Sequence, residues 1–515
     1  MQTVPDPTPR PIDHLVELAS DRGADTSPAL VLRDQTLDHA ALRQRVAMLA
    51  GWLQDRFPTP GARVASWVAK GELACLMPLA AARAGLIHVP INPLLKRAQV
   101  AHILGDCSAT GLIATKARLA TLEHGDSPSG CNLLEETDAL ALAEGAGLAA
   151  APSTTDPADC AAILYTSGST GRPKGVVLSH ANLWLGAVSV AHYLGLAVDD
   201  VTLAVLPLSF DYGQNQLFSA VYAGGSVVPL DFLFPRDVVR ACERHRITTL
   251  AAVPPLWVRV LEAEWSSAAL SHMRRLTNSG GALGTKLVED LVATFKDVDL
   301  YPMYGLTEAF RSTYLEPDLV ARHPTSIGRA VPFAEIIVVN DDGDVAAPDE
   351  EGELVHCGPL VAQGYWRDPE RTAHRFRPAP PQSRYGGTAV WSGDRVRRDE
   401  NGLLYFVARR DAMIKSAGNR ISPQEIEEAA IASGATTEAI AIGVPDERLG
   451  EAIHLIVRGR PNGDEENRLV KHLKSELPNF MQPKVISWRE EFPLNPNGKI
   501  DRAALGRGLE TGDAG

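Results

Sequence analysis

Short apolar runs bounded by glycine, proline or asparagine recur along most of the chain. Clear examples are GARVASWVAK, GLIHVPINP, CAAILYTSG, VTLAVLPLSF, GGSVVPLDF and ITTLAAVPP. They are accompanied by stretches such as LDHAALRQRVAMLAGWLQDRF and LACLMPLAAARAGL, in which apolar residues return after three and four positions. Strands that alternate with amphipathic helices favour layered α/β folds with buried, largely parallel strands. The pattern therefore predicts an α/β protein.

The length of the chain predicts more than one domain, because 515 residues are too many for a single core. Composition changes near residue 410, where strand-like segments such as GLLYFVARR give way to SPQEIEEAAIASG, which opens with a Ser-Pro helix start. Two strand-like runs follow, and proline ends the helical NRLVKHLKSELPNFMQP. We predict a large domain over 1–410 and a small α+β domain over 411–515. The stretch 120–158 is interpreted as helix and surface loop.

Composition argues against several classes of protein. Hydrophobic residues make up 45% of the chain, and no apolar run approaches the roughly 20 residues that cross a bilayer. The N-terminal MQTVPDPTPRPIDHL lacks the basic start and apolar block of a signal peptide, so we expect a cytoplasmic protein that does not bind membranes. The net charge of -13, without a clustered basic face, argues against a nucleic-acid partner. The scattered cysteines form no CxxC pair, which argues against a zinc site or a disulfide framework.

The segment YTSGSTGRPKGVVLSH, from Tyr165 to His180, has the composition of a phosphate-binding loop. Its glycines allow unusual backbone conformations, its hydroxyls can donate hydrogen bonds, and Lys174 adds positive charge. A simple Ser/Gly linker is disfavoured because the segment lies between a strand-like run and a helical one. The spacing differs from GxxxxGK[ST], so the metal geometry of P-loop proteins does not apply. We therefore predict a loop that wraps polyphosphate.

This segment resembles the phosphate-binding signature of the AMP-forming acyl- and aminoacyl-activating superfamily, which includes acyl-CoA synthetases, adenylation domains of nonribosomal peptide synthesis and luciferases. Further family motifs follow in order: YGLTE at 304–308, WSGDR at 391–395, GLLYFVARRDAMIKSAGNRISPQEIE from 402 and PLNPNGKIDR from 493. The resemblance covers essentially the whole chain. It implies a large N-terminal domain of two α/β lobes plus a β subdomain, with a small mobile α+β C-terminal domain. It also implies an enzyme that uses ATP and Mg²⁺ to adenylate a carboxylic acid and then passes the acyl group to a thiol.

The resemblance assigns roles to residues within the matching motifs. Thr307 and Glu308 would lie at Mg²⁺ and the α-phosphate, with Glu308 as the metal ligand. Lys499 would reach between the substrate carboxylate and the α-phosphate, where it would neutralise two anions that otherwise repel. Tyr304 would stack near adenine, and Asp394 would hold the ribose hydroxyls. The complete set implied to bind ATP or AMP is Thr166, Ser167, Gly168, Ser169, Thr170, Gly171, Lys174, Tyr304, Asp394 and Arg409.

The family also implies a change in domain arrangement between its two half-reactions. The small domain would rotate about Asp411, since hinges absorb backbone changes at the ends of elements. Rotation would withdraw Lys499 and bring the segment 415–418 toward the thiol. We therefore predict a hinge at Asp411.

Four residues are predicted to line the acid pocket: Asp211, Ser279, Gly280 and Arg311. Many acyl-CoA synthetases have a non-acidic residue after the LP strand, whereas LPLSFDYGQNQ places Asp211 where amino-acid adenylation domains bind the substrate amine. The alternative is that Asp211 caps a helix or pairs internally. Arg311 either pairs with Asp211 or Glu308 or binds a second carboxylate on the substrate, because an unpaired buried guanidinium is costly.

Asp211, Ser279 and Arg311 together resemble the stand-alone adenylation enzymes of macrolactam polyketide pathways, which load β-amino acids such as 3-methylaspartate. We therefore expect an amino acid or β-amino acid with an acidic side group as substrate. Because the sequence ends soon after PNGKIDR, a separate acyl or peptidyl carrier protein, or CoA, is expected to supply the thiol.

Other functions stay open at this stage. FDYGQNQ and YGLTEAFRSTYL also resemble AMP-forming acyl-CoA ligases associated with exosortase gene clusters, so an acyl-CoA ligase for an amine-free acid is the main alternative. A luciferase-like oxidation of the adenylate would use the same chemistry. A nucleotide-binding homologue without catalysis is disfavoured because Lys499 and Glu308 are both present.

Overall fold

The structure is a computed structural model that describes residues 5–21, 25–166, 173–409, 412–416, 419–446, 449–460 and 463–510. Its described strands form three sheets. In chain order the strands are β1 Pro28–Val31, β2 Thr36–Asp38, β3 Arg63–Trp67, β4 Ile87–Pro90, β5 Gly111–Ala114, β6 Asn132–Glu135, β7 Cys160–Thr166, β8 Lys174–Ser179, β9 Val201–Ala204, β10 Ser226–Pro229, β11 Thr249–Ala252, β12 Arg275–Asn278, β13 Asp299–Tyr304, β14 Thr313–Tyr314, β15 Ser326–Ala330, β16 Glu335–Val339, β17 Glu351–Cys357, β18 Phe376–Pro378, β19 Thr388–Arg398, β20 Leu404–Arg409, β21 Ile414–Ser416, β22 Asn419–Ile421, β23 Ala439–Asp446, β24 Gly450–Arg458 and β25 Val485–Arg489.

Helices cover the sheets and connect most of the parallel strands. The α-helices are α1 Leu18–Asp21, α2 His39–Arg56, α3 Glu72–Arg83, α4 Arg97–Asp106, α5 Lys116–Leu119, α6 Glu136–Gly145, α7 His180–Tyr193, α8 Asp211–Ala223, α9 Pro235–His245, α10 Pro254–Leu261, α11 Ser267–Leu270, α12 Thr285–Thr294, α13 Pro317–Val320, α14 Pro369–Arg375, α15 Pro423–Ala432, α16 Gly463–Glu476 and α17 Arg502–Glu510. Short 3₁₀ helices occupy Ile12–Glu17, Thr307–Ala309 and Asn479–Met481.

The first lobe is built on a six-stranded sheet with the order β6-β5-β3-β4-β7-β8 among the described residues. Its strands run parallel except for β8, which pairs antiparallel with β7. Strands β4 and β5 are buried at every position, as expected for parallel strands covered on both faces. Each of the six apolar runs identified in the sequence contains a strand, which confirms that part of the prediction.

The second lobe and the β subdomain share one continuous sheet in the described part of the chain. Strands β13, β12, β11, β9, β10 and β1 are parallel neighbours, and β14 connects them to the antiparallel strands β15–β20. The predicted fold class, two α/β lobes with a β subdomain, is confirmed by this arrangement. Ligands of open α/β sheets usually bind beyond the carboxyl ends of the parallel strands.

Helix α8 begins at this edge and is buried over almost its whole length. The helix lies so close to the preceding loop that a Cβ added to Gly213 would be 2.1 Å from the carbonyl oxygen of Pro207. The helix ends at Gly224, which has a left-handed φ of 77°. This tight packing fixes the start of α8, and with it Asp211, against the sheet edge.

Strands β21–β25 form a separate five-stranded sheet, covered by α15 and α16, with its own apolar core. This small α+β unit matches the predicted small domain in type. It contacts the large unit through an ion pair of 3.0 Å between Arg458 and Glu262. The predicted boundary at 410/411 lies outside the described residues and stays a prediction.

Residues 120–158 differ from the expectation of helix and surface loop. They contain strand β6, Asn132–Glu135, which pairs with β5 at the edge of the first sheet. The strand is short and only half-buried, so the apolar signal that identified the other strands is weak there. Within the described ranges, no helix combines the length and apolar character that a membrane span requires.

Candidate active site

Three segments converge beyond the carboxyl ends of the parallel strands. Asp211 opens helix α8, Ser279 and Gly280 follow β12, and Thr307 and Glu308 follow β13. Parallel strands bring such loops to one edge of a sheet, although they are far apart in sequence. The predicted catalytic and acid-binding residues of the large unit therefore meet at one place.

Glu308 is the centre of a compact charged cluster. Lys174 donates a hydrogen bond of 3.0 Å to its Oε1, and the Tyr365 hydroxyl donates one of 2.6 Å to the same oxygen. Lys174 also donates to the Tyr365 hydroxyl oxygen at 2.8 Å. Burial acts to raise the pKa of Glu308, but Lys174, Arg375 and the Tyr365 hydrogen bond outweigh it and lower the pKa to about 2. Glu308 is thus a carboxylate that keeps its charge although it is only 6% exposed.

Tyr304, Asp394 and Arg409 form a second cluster. The Tyr304 hydroxyl donates a hydrogen bond of 2.5 Å to Asp394 Oδ2, and Arg409 Nε lies 3.3 Å from Oδ1. Asp394 and Arg409 are cross-strand partners on β19 and β20, which explains their proximity. Burial, with the nearby Asp394 carboxylate, raises the pKa of Tyr304, so its hydroxyl stays protonated and donating.

Asp211 is 4% exposed and accepts a hydrogen bond of 3.2 Å from Thr307 Oγ1. It lies within the first turn of α8, whose N-cap is Phe210 without a side-chain cap, so the helix-capping alternative is not observed. Burial raises the pKa of Asp211, while Arg311, Lys499 and the Thr307 hydrogen bond act to lower it. The carboxylate therefore lies in a desolvated site with cations close by.

Arg311 is 2% exposed, and its closest partners are uncharged. Its Nη1 donates to Ser279 Oγ at 3.1 Å, and its guanidinium lies 4.7 Å from the centre of the Tyr212 ring. Its Nε is buried without a hydrogen-bond partner in the described part of the chain. Among those residues, the predicted alternative of an ion pair with Asp211 or Glu308 is not formed within 4.0 Å. The site thus contains a buried cation that forms no ion pair within 4.0 Å with a described acidic residue.

A small cavity of about 20 Å³ adjoins Arg311 and Tyr212. Its walls carry several polar side chains with buried atoms that lack a partner among the described residues: Asn215 Nδ2, Gln216 Nε2 and Oε1, and Thr249 Oγ1. Sequence reasoning missed these residues. The QNQ run of α8 was a detectable signal, because three adjacent amides on a helix that is buried all round are unusual.

Lys499 reaches the same site from the small unit. Its ammonium lies 4.9 Å from the centre of the Phe210 ring. A Cβ added to Gly280 would be 2.5 Å from Lys499 Cε, so the lysine lies directly against the Gly280 backbone, which has a φ of +85°. Burial lowers the pKa of Lys499, an effect that Asp211 opposes. Lys499 therefore lies near two of the residues predicted to line the acid pocket, Asp211 and Gly280.

The turn that carries Lys499 also closes one end of a larger cavity of about 430 Å³. The cavity runs between strands β3 and β4, the loop after β9, and the turn at 494–498. Its lining includes residues 494–498, which directly precede Lys499.

Some predicted site residues cannot be located. Ser167, Gly168, Ser169, Thr170 and Gly171 of the phosphate loop and the hinge residue Asp411 lie outside the described residues. Thr166 ends strand β7, and its hydroxyl is buried without a partner in the described part of the chain. Their roles stay predictions.

Comparison with known proteins agrees with this geometry. The chain matches the AMP-binding enzyme family over residues 19–366 and the AMP-binding enzyme C-terminal domain over 425–499. The ATP-bound crystal structure of MatB from Rhodopseudomonas palustris has a TM-score of 0.86 and 26% identity, covering 97% of this chain and 99% of that one.

Known proteins with similar sequences also match over almost the whole chain. Feruloyl-CoA synthase of Amycolatopsis sp is 31% identical over 92% of this chain and 94% of its own length. The L-proline--[L-prolyl-carrier protein] ligase of Pseudomonas fluorescens is 29% identical over 94% and 96%. Tyrocidine synthase 2 of Brevibacillus parabrevis is 30% identical over 95% of this chain, which spans 14% of that protein.

The fold and the matched sequence put this chain among enzymes that adenylate acyl or amino acids at the expense of ATP. It belongs to the AMP-binding enzyme family, and its class is that of the AMP-forming acid-thiol ligases.

Proposed function

We propose that this enzyme activates an amino acid or β-amino acid with an acidic side group, similar to 3-methylaspartate. The acyl-adenylate would then react with the phosphopantetheine thiol of a separate carrier protein. The observation that carries the proposal is Arg311, a buried guanidinium whose nearest partners are a hydroxyl and an aromatic ring. A buried charge of this kind requires an anion, and the planar guanidinium matches a carboxylate.

Asp211 and Arg311 suit opposite groups of such a substrate. Asp211 would hold the ammonium, and Thr307 would keep its carboxylate oriented through the 3.2 Å hydrogen bond. Arg311, oriented by Ser279 and Tyr212, would hold the second carboxylate. Asn215 Nδ2 and the Gln216 amide, which have no partner among the described residues, add hydrogen-bonding groups beside it. The cavity there has room for little more than one water-sized group, which favours a compact acid.

The nucleotide would be bound by the two charged clusters. Asp394, with Tyr304 and Arg409 beside it, would accept hydrogen bonds from the ribose hydroxyls. Lys174 and the loop 166–171 would contact phosphate. Glu308 fits a magnesium ion because it is an ionised oxygen ligand, and Mg²⁺ is commonly held by one or two carboxylates together with substrate phosphates. When bound, Mg²⁺ would neutralise phosphate charge.

Lys499 would act during adenylation. Its ammonium lies among Asp211, Phe210 and Gly280, and under this proposal the substrate carboxylate would approach the α-phosphate there. A preorganised cation lowers the barrier for the attack of one anion on another. After adenylation the thiol would attack the acyl carbon, its proton would leave to solvent, and AMP would depart with the electron pair of the broken acyl–oxygen bond. The 430 Å³ cavity beside the 494–498 turn is a candidate route by which that thiol would enter.

ATP-pyrophosphate exchange tests the proposal. The panel would contain aspartate, 3-methylaspartate, other β-amino acids, neutral amino acids, and simple fatty and aryl acids. We expect exchange with amino-dicarboxylates and its loss in Asp211→Ala and Arg311→Ala. Exchange with amine-free acids that is indifferent to Asp211 would instead support an acyl-CoA ligase, a function for which the relatives provide precedent. Thioester formation with a phosphopantetheinylated carrier protein and with CoA, compared side by side, identifies the acceptor.

A further inference from the structure

Asn92 joins the large unit to the turn that carries Lys499. It lies between β4 and α4, is 7% exposed, and is about 400 residues from its partners along the chain. Its Nδ2 donates to the carbonyl oxygen of Pro496 at 2.9 Å and to Asn497 Oδ1 at 3.1 Å. Its Oδ1 accepts from the Leu94 backbone N–H at 2.9 Å. Both donors of the amide are therefore used on the turn, and its acceptor is fixed to the large unit.

The shape of the turn does not depend on Asn92. Asn495 Oδ1 accepts hydrogen bonds from the N–H groups of Asn497 and Lys499 at 2.9 and 3.1 Å. The Asn495 N–H also donates to the Lys499 carbonyl at 2.7 Å, and Leu494 pairs with Ile500 as a β-bridge. Asn495 thus sets the conformation of the turn from within. Asn92 supplies a contact that only the seated turn can make.

The position of Lys499 depends on that seating. Lys499 follows Gly498 directly, and its side chain lies against Gly280 and Phe210, both of which belong to the large unit. A displacement of about 1 Å can cost a catalytic group 10²-fold in rate. An ion pair between the units joins Arg458 to Glu262, whose side chain is 54% exposed, so solvent screens it. The Asn92 hydrogen bonds are better shielded than this ion pair.

We propose that Asn92 is a positioning residue for adenylation: it seats the 494–500 turn on the large unit and thereby fixes the ammonium of Lys499 in the acid pocket. The inference rests on the catalytic role proposed for Lys499. It assigns Asn92 no contact with ATP or the acid. Its loss should therefore slow the adenylation step without weakening the binding of ATP.

The test compares the two half-reactions in the full-length enzyme. With the acid of the panel that gives the fastest exchange, Asn92→Ala should lower kcat for ATP-pyrophosphate exchange by about 10- to 100-fold, from the loss of two hydrogen bonds. The KM for ATP should stay within about twofold, since the change falls on the chemical step. Thioester formation from the synthetic adenylate and pantetheine should keep its rate. Equal losses in both half-reactions, or no loss in either, would overturn the proposal.

Asn92→Asp is the matched variant. It keeps the oxygen that accepts from Leu94 but has no N–H groups to donate to the turn. It should lose as much exchange activity as Asn92→Ala. If Asn92→Asp has the wild-type rate, the role of Asn92 is to shape its own loop, and the proposal is wrong. Asn497→Ala should lose less, and its effect should not add to that of Asn92→Ala.

A measurement independent of the substrate separates this inference from the proposed function. Hydrogen exchange of the peptide that contains 494–500 should be faster in Asn92→Ala than in the wild-type enzyme, with unchanged exchange in β23 and β24. Unchanged exchange at the turn would contradict the seating role whatever acid the enzyme uses. Lys499→Ala serves as the reference for catalysis: if it retains full adenylation while the turn is loosened in Asn92→Ala, the proposed role of Lys499 fails and the seating contact stands.

Discussion

His356 lies in strand β17, fully buried, with its Nδ1 2.9 Å from the Ser312 hydroxyl oxygen. Burial lowers its pKa to about 3. The unfolded chain takes up this proton near pH 6.5, whereas the folded protein does not until about pH 3, so acid favours unfolding within that window. We expect His356→Gln to reduce the slope of unfolding free energy against pH by about 1.4 kcal/mol per pH unit below pH 6.5. Urea unfolding at several pH values measures this slope.

The variant will have lower stability at neutral pH, so the slope and not the absolute free energy is the relevant quantity. His374→Gln, at an exposed position on α14, is the matched control. A slope in His356→Gln equal to that of the wild type would show that His356 is protonated in the folded protein.

Individual residues show which parts of the site can be predicted from the sequence and which cannot. The predicted phosphate loop stands out in the sequence because glycines, hydroxyls and Lys174 occur together in one short segment. Tyr365 could not, since it contacts Lys174 across 191 positions and no pattern in its own segment distinguishes it. Asn92 looks like an ordinary turn residue for the same reason. Contacts of this kind follow only from the packing of the two units.

At the scale of elements, the apolar strands could be predicted from the sequence, whereas the half-buried edge strand β6 and the polar helix α8 were harder to interpret. ITTLAAVPP identifies β11 because burial on both faces requires a continuous apolar run. The edge strand β6 gives no such signal. Helix α8 shows the opposite difficulty: its polar Gln214 and Gln216 suggest an exposed face, yet both are buried. A helix that lines a polar site does not follow the usual pattern of one apolar and one exposed polar face. Buried polar residues such as these are therefore a useful indication of a candidate site.

The loop after β12 makes the role of Gly280 testable. Alanine there would put a methyl group 2.5 Å from Lys499 Cε and would also strain a backbone with φ of +85°. We expect Gly280→Ala to lower ATP-pyrophosphate exchange by at least about 100-fold, comparable to the loss of a preorganised charge. Thioester formation from a supplied adenylate should be affected less.

Two control variants separate the effect of the contact with Lys499 from the effect of backbone strain. Gly284→Ala, at the start of α12, has no atom within 4 Å of the new methyl group and no positive φ, so exchange should keep its rate. Gly195 has a φ of +60°, and a Cβ added there would have no atom within 4 Å. The loss of thermal stability in Gly195→Ala therefore measures the effect of backbone strain alone. In the contrary outcome, Gly280→Ala lowers thermal stability only as much as Gly195→Ala does and keeps the full rate of ATP-pyrophosphate exchange. That result would show that the close contact between Gly280 and Lys499 is not required for adenylation.

At the scale of the whole molecule, the family resemblance predicts that the small unit rotates about Asp411 between half-reactions. Proline fixes φ and so restricts such a rotation. We expect Asp411→Pro to keep ATP-pyrophosphate exchange and to lose most thioester formation. Asp411→Ala, which leaves the backbone free, should retain both activities. Unchanged thioester formation in the proline variant would exclude a hinge at this residue.

The two-unit architecture itself could be predicted from the change in composition near residue 410, because each unit needs its own apolar core. The contacts between the two units could not be predicted from the sequence. The ion pair between Arg458 and Glu262 and the contacts of Asn92 depend on the orientation of two independently folded bodies. No periodicity within either body encodes that orientation.

Under the proposed function, the Arg311 guanidinium, whose partners Ser279 and Tyr212 are uncharged, has a consequence for how substrate preference can change. In their charged forms Asp211, Arg311 and Lys499 carry one excess positive charge, which the amino-dicarboxylate of the proposed function, with a net charge of -1, would neutralise. A pocket with this balance discriminates by the total charge of the ligand before it discriminates by shape. A single substitution at Asp211 or Arg311 would upset the balance by one unit. Redirecting the enzyme to neutral amino acids therefore requires Arg311 to be replaced by an uncharged residue while Asp211 is kept, and redirecting it to amine-free dicarboxylates requires the reverse.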